Sequence, residues 1–104
     1  EETPLRVVKK DGSRVPFDRQ KILAGLLKAC EKRPIPVPAL EDITDKIEAH
    51  IHEKFDREVT AKQIGDMVME ELKKLDKVAY VRFASVYRDF QAVEDFLAEL
   101  DKMK

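Results

Sequence analysis

The residues best equipped to do chemistry in this chain are crowded near its start. Val7-Val8-Lys9-Lys10-Asp11-Gly12 is followed by Phe17-Asp18 and then Lys21-Ile22. Asp-Gly between two extended, partly alternating runs is a strong hairpin signal, because a type I′ turn needs positive φ at both central residues. Asp18 is a good N-cap, so a helix is expected directly after the hairpin, with Lys21 in its first turn. A basic hairpin tip then faces a helix start, where free N–H groups and the helix dipole favour anions. The chemistry this suits is non-covalent capture of a compact polyanion, a polyphosphate clamp without a phosphate-binding glycine loop. With a two-residue loop, Lys10 opposes Ser13, Lys9 opposes Arg14 and Val8 opposes Val15. Lys9 and Arg14 then share one face and Lys10 leaves from the other. A three-residue loop would change these pairs. The plain alternative is a solvated basic hairpin with no ligand.

The charge distribution fits a local anion site. The 104 residues carry a net charge of −1, which argues against a generic sleeve for nucleic acid. Residues 1–33 hold nine cations and five acids, a net of +4, and the remainder is −5. A basic patch on a neutral chain suits a compact anion better than a long one. Enzymatic constellations are weak. His50 and His52 are two apart, so on a helix they point about 200° from each other and cannot share a metal. Cys30, the single cysteine, falls on an apolar stripe and excludes both a disulfide framework and a Cys-rich zinc site. The chain is therefore expected not to be an enzyme. No apolar run approaches the ~18 residues of a membrane span. The absence of a signal peptide and of an initiator Met suggests an excised piece of a cytoplasmic protein.

These residues need a scaffold. A length of 104 residues suggests one domain, and a charged share of 39%, against the usual ~25%, suggests a thin core with a large solvated face. Ile22, Leu23, Leu26, Leu27 and Cys30 form the stripe of a first helix from about Asp18 to Cys30, with Lys21, Gly25 and Lys28 in line on another face. Pro34, Pro36 and Pro38 give a stiff connector. A second helix, about Pro38 to Phe55, uses Leu40, Ile43, Ile47 and Ile51. Arg57-Glu58-Val59 reads as a short strand that can join the hairpin. Thr60-Ala61-Lys62-Gln63 is a capping box for a third helix carrying Ile64, Met67, Val68, Leu72 and Leu75. Asp76 can cap a fourth helix, and the segment from there to Lys104 is either one long helix or two in close succession. Phe83, Val86, Phe90, Val93, Leu97 and Leu100 recur with a 3-4 spacing, close to a heptad seam. Its far end makes a candidate partner surface. The fold class is α+β, mainly α: a four- to five-helix bundle capped by a small β-hairpin or three-stranded sheet. Residues 1–17 are the hairpin cap, 18–90 the bundle, and 91–104 a helical tail suited to an oligomer contact.

The opening motif, Val7-x-Lys9-Lys10-Asp11-Gly12 with Phe17-Asp18 and Lys21-Ile22, resembles the start of an ATP-cone, the regulatory nucleotide-binding domain of ribonucleotide reductases. Four further stretches narrow the resemblance: Cys30-Glu31-Lys32-Arg33-Pro34, Arg57-Glu58-Val59, Ile64-Gly65-x-x-Val68-Met69, and residues 75–88. They are similar to the NrdR-type bacterial repressors of ribonucleotide reductase genes, and the run 78–88 is the most specific. The resemblance implies a single cone over residues 1–104 that binds ATP or dATP, with Mg²⁺ accompanying the triphosphate. It also implies that nucleotide identity switches a homo-oligomer, and with it DNA binding.

It carries the phosphate contacts onto Lys9, Lys10 and Lys21, and a hairpin valine onto Val7. Asp18 matches a polar position near sugar or base. Thr60 and Tyr87 match the far wall and the base, and Arg14 joins the candidate set from the basic hairpin. The chain departs from the pattern in three ways. Lys10 stands where the motif often has Arg and so lacks the bidentate fork. Val15 stands where many cones have an acid. The DNA-binding, Cys-rich zinc ribbon of such repressors is missing, so Zn²⁺ has no ligand set here and DNA would be reached only through that ribbon. The expectation is a sensor half. Two alternatives are the allosteric cone of a reductase large subunit and a nucleotide-independent helical oligomerisation module.

Overall fold

The computed structural model describes residues 4–103. Residues 1–3 and 104, which the expected hairpin cap and tail include, lie outside it. There are three short strands: β1 (Arg6–Val8), β2 (Arg14–Pro16) and, after two helices, β3 (Glu58–Thr60). Their order in the sheet is β2-β1-β3, with β2 antiparallel and β3 parallel to β1. The helices are α1 (Arg19–Ala29), α2 (Val37–Lys54), α3 (Ala61–Leu75), α4 (Lys77–Tyr87) and α5 (Val93–Asp101). This is the mainly α, α+β arrangement expected from the sequence, with the strand at 57–59 displaced by one residue.

The hairpin differs from the expectation in register. Val7 opposes Val15 and Val8 opposes Arg14, where the Asp-Gly signal predicts Val8 opposite Val15 and Lys9 opposite Arg14. The cause is a three-residue loop. Lys9 N–H donates to Ser13 O at 2.8 Å, Gly12 N–H donates back to Lys9 O at 2.9 Å, and Gly12 takes φ +88°. Asp11 closes the loop by accepting from the Ser13 hydroxyl and N–H, bonds that hold its carboxyl below the ordinary value. A one-residue slip moves side chains to the opposite face. Lys9 therefore shares a face with Val7 and Val15, while Arg14 goes to the other face with Val8.

The helices start where local chemistry says they should. Asp18 accepts from Gln20 N–H at 2.9 Å at the head of α1. Thr60 and Gln63 exchange both bonds of the capping box at the head of α3. Asp76 accepts from Ala79 N–H at 2.9 Å to start α4 and also holds Arg33 at 2.9 Å. Leu26, Leu40, Ile51, Leu72 and Val59 are almost completely buried between the sheet and the helices. Thr44 joins them because its hydroxyl donates to Leu40 O at 2.8 Å and leaves no unmet polar group. Leu27 and Leu75, expected in the core stripes, are exposed at the stripe margins, and Ala29 and Met69 are buried in their helices instead.

The heptad seam is broken. α4 ends at Tyr87, Asp89 takes φ +53°, and α5 restarts at Val93. Phe83 and Val93 are thus on separate helices, and Val86 is 80% exposed.

Burial pushes the Asp76 carboxyl up, but the bonds from Ala79 N–H and Arg33 outweigh it and hold the group below the usual carboxylate range. Its stabilisation is therefore fully present above the unfolded-state value and is lost as the pH falls through the lower folded-state value. Melting temperature is expected to be flat above about pH 5 and to fall below about pH 4. In Asp76→Asn that acid limb should be shallower. Asp76→Ala should cost about 1–2 kcal/mol at neutral pH in chemical denaturation, as lost N-caps do.

Candidate functional site

The slipped register, α1, α3 and α4 together enclose a cavity of about 300 Å³, at the small end of the ~300–1,000 Å³ usual for small-molecule sites. Its interior is apolar. Val7 and Val15 come from the paired strands, Ile22 from α1, Ile64 from α3, and Phe83 and Tyr87 from α4. Lys9, Asp18 and Lys21 supply its polar groups. Lys9 arrives from the strand end and Lys21 from the first turn of α1, one turn beyond the Asp18 cap. An apolar chamber with two cations at the rim has the chemistry to suit a flat apolar group joined to an anionic tail.

A neighbouring cavity opens on the other face of β1. Val8, Lys10, Thr60, Lys62 and Arg88 line it together with Asp66, and Tyr87 is common to both cavities. Lys10 leaves from the face opposite Lys9, as expected. Of the eight candidate residues, five (Val7, Lys9, Asp18, Lys21 and Tyr87) meet in the main cavity, and Lys10 and Thr60 meet next door. Arg14 stands apart: its guanidinium pairs with Glu58 of β3, which raises its pKa.

In the basic first third most arginines are ion-paired and, among the described residues, the lysines are not. Arg14 pairs with Glu58, Arg19 with Asp45 and Glu48, and Arg33 with Asp76. Among the described residues Lys9, Lys10, Lys21, Lys28 and Lys32 take part in no ion pair. Three of the four arginines there brace the scaffold; Arg6, like the lysines, takes part in no ion pair among the described residues. The row Lys21, Gly25, Lys28 is also present: Lys21 and Gly25 line the main cavity, and Gly25 and Lys28 line a third one.

Tyr87 is the residue that shapes the site most. Its hydroxyl donates to Lys62 O at 2.7 Å, and its ring stacks on Phe83 with centroids 5.7 Å apart. Burial, followed by the nearby Asp66 carboxylate, pushes its phenol up, so it remains a neutral donor at any physiological pH. The ring lies directly on Gly65 of α3. A Cβ there would fall inside the ring carbons' van der Waals envelope and 2.7 Å from the hydroxyl oxygen. In the sequence Gly25 stands out by its row with Lys21 and Lys28, whereas Gly65 is marked only as part of the Ile64-Gly65-x-x-Val68-Met69 motif. A Cβ at Gly25 would make only ordinary contact, 3.6 Å from the Phe83 ring. The available signal was the same for both, since an interior helical glycine costs about 1 kcal/mol and is kept where something approaches closely.

The ATP cone domain family matches residues 5–93, so it spans every element that lines the cavities. The chain belongs to the ATP-cone family. Its curated relatives carry the name transcriptional repressor NrdR. That of Thermoanaerobacter sp. (strain X514) is 54% identical over 103 residues, covering 99% of this chain and 65% of the relative. Those of Acetivibrio thermocellus and Carboxydothermus hydrogenoformans are 56% and 57% identical over the same length, covering 68% and 67% of each. The cone thus belongs with the NrdR repressors and spans about two thirds of their length. No helix of the described part is long and apolar enough to cross a membrane. No group of three or more His, Cys, Asp or Glu among the described residues could hold a metal ion.

Proposed function

We propose that this cone is the nucleotide-sensing domain of a bacterial repressor of ribonucleotide reductase genes, and that its ligands are ATP and dATP. The observation that carries this is the pairing of an apolar chamber with lysines that take part in no ion pair among the described residues. Lys9 and Lys21 hold the phosphates, and Lys10 reaches the tail from the adjoining cavity. Val7 and Tyr87 border the base, with Asp18 near the sugar and Thr60 at the far wall. Arg14 contributes through the field of the basic hairpin. Mg²⁺ enters with the triphosphate and offsets part of its charge. In the full-length protein the cone turns nucleotide identity into oligomeric state, and DNA is read by a zinc ribbon elsewhere in that protein. The exposed Val93 and Leu97 of α5 support a contact between copies in the tail.

ATP and dATP differ by one hydroxyl, so a switch requires each to fit two states of the assembly unequally. Three or four charge-assisted bonds with base burial support micromolar affinity, about −8 kcal/mol. Calorimetry of the chain with Mg-ATP and with Mg-dATP is expected to show saturable heat for both. Background heat with both nucleotides overturns the assignment. Light scattering without nucleotide, with ATP and with dATP is expected to give different masses. One mass in all three would favour a plain interaction module.

A further inference from the structure

Resting on the nucleotide reading above, we infer that Arg88 is a second-cavity ligand contact for which the polyphosphate competes with α5. Arg88 is the residue that closes α4, immediately after Tyr87. It lines the cavity of Lys10, Thr60 and Lys62, and its Nη1 is ion-paired with Glu99 of α5. Glu99 is the one charged side chain among the described residues that is buried, at 2% exposure. It also accepts from the Tyr80 hydroxyl at 2.8 Å and from Lys102 Nζ at 3.2 Å.

A buried carboxylate is tolerable only while its partners stay in place. The apolar side chains of α5 contribute little, since Val93, Phe96 and Leu97 are 41–69% exposed, although Met103 just beyond the helix packs against the core. Glu99 is the one residue of α5 that is buried, and its bonds to Arg88 and Tyr80 tie the helix to α4. An anionic tail that reaches Lys10 enters a cavity of three cations, Lys10, Lys62 and Arg88, with Asp66 as its one acid. There it attracts the Arg88 guanidinium and repels the Glu99 carboxylate, and both effects loosen α5. Tyr87, shared by the two cavities, puts this exchange next to the chamber that holds the base. Coupling of this kind is reciprocal: loosening α5 by another route must raise ligand affinity.

Hydrogen exchange followed by mass spectrometry on the whole chain tests this, with no ligand, with saturating Mg-ATP and with tripolyphosphate. Peptides covering 93–101 should exchange roughly tenfold faster with either ligand, while the α1 and α3 peptides slow. Glu99→Gln should bind ATP several-fold tighter than the parent in calorimetry, and Arg88→Gln should bind weaker and show no ligand effect on α5. Saturable ATP heat with α5 exchange unchanged or slower overturns the coupling and leaves the nucleotide reading standing. Absence of heat with both nucleotides overturns both. If Glu99→Gln does not fold, the exchange comparison on the parent chain decides alone.

Discussion

Lys9→Ala combined with Lys21→Ala should weaken Mg-ATP and Mg-dATP binding by ~100-fold or more, because two charge-assisted contacts to phosphate disappear together. The same double variant should keep its helicity and its melting temperature. Both lysines are exposed and neither takes part in an ion pair among the described residues, so the folded chain loses no salt bridge and only the weak attraction of Lys9 for the exposed Asp11. Lys21 lies inside α1, where alanine is at least as good a helix former. Binding is read by calorimetry and folding by circular dichroism. Undiminished affinity with intact folding would remove Lys9 and Lys21 from the site. Lys10→Ala, acting from the adjoining cavity, should cost less than the pair and should leave base recognition unchanged.

The second large effect is expected at Gly65. Alanine there cannot coexist with Tyr87 in its present position, since the new methyl would overlap the ring. The ring must leave α3, which breaks its bond to Lys62 O and its stacking on Phe83. Overpacking of this sort costs about 1–3 kcal/mol. Nucleotide affinity should fall as well, because the displaced ring swings into one of the cavities it now walls. A double-mutant cycle separates this from a general defect in α3. In a Tyr87→Ala background the Gly65→Ala change should be nearly neutral or stabilising, since the obstacle is gone and alanine favours helix by about 1 kcal/mol. An equal penalty in both backgrounds would mean that Gly65 matters for some other reason. Tyr87→Phe, which keeps the ring and loses the hydroxyl, should show only a small part of either effect.

How much of this could be read from the residues depends on the range of the interaction. Signals confined to three or four neighbours were legible: the Asp18 cap, the Thr60–Gln63 box and the Asp76 start of α4 all depend on side chains beside the N–H groups they satisfy. The hairpin was legible as a hairpin but misread by one residue. Asp-Gly fits both a two-residue and a three-residue loop, and the bond from Lys9 N–H to Ser13 O decides between them. That slip mattered, because it parts Arg14 from Lys9. The 3-4 spacing from Phe83 to Leu100 left one long helix or two open and did not place the break at Asp89, since hydrophobic period records which residues are apolar and says nothing of the backbone between them. The least legible features are the long-range ones. Nothing local distinguishes Gly65 from Gly25, or marks Glu99 among its acidic neighbours as the buried one. Equally, the pairing of Arg14, Arg19 and Arg33 that leaves the lysines free joins residues 26 to 44 positions apart.

The parallel pairing of β1 with β3 has a consequence for how the domain comes into being. β1 is the central strand, and its Arg6–Val8 edge waits for Glu58–Thr60, with two whole helices made in between. A lone two-stranded hairpin is marginal in water, so β1 and β2 gain little from each other while that partner is unmade. The chamber wall supplied by α4 is later still. During synthesis the strand that leads into Lys9 therefore leaves the ribosome early and is fixed late, with loop closure over some fifty residues slowing the step. Nascent chains stalled before α4 should be unable to sense anything. The order of manufacture withholds the domain's first competence to bind until α4 has been made.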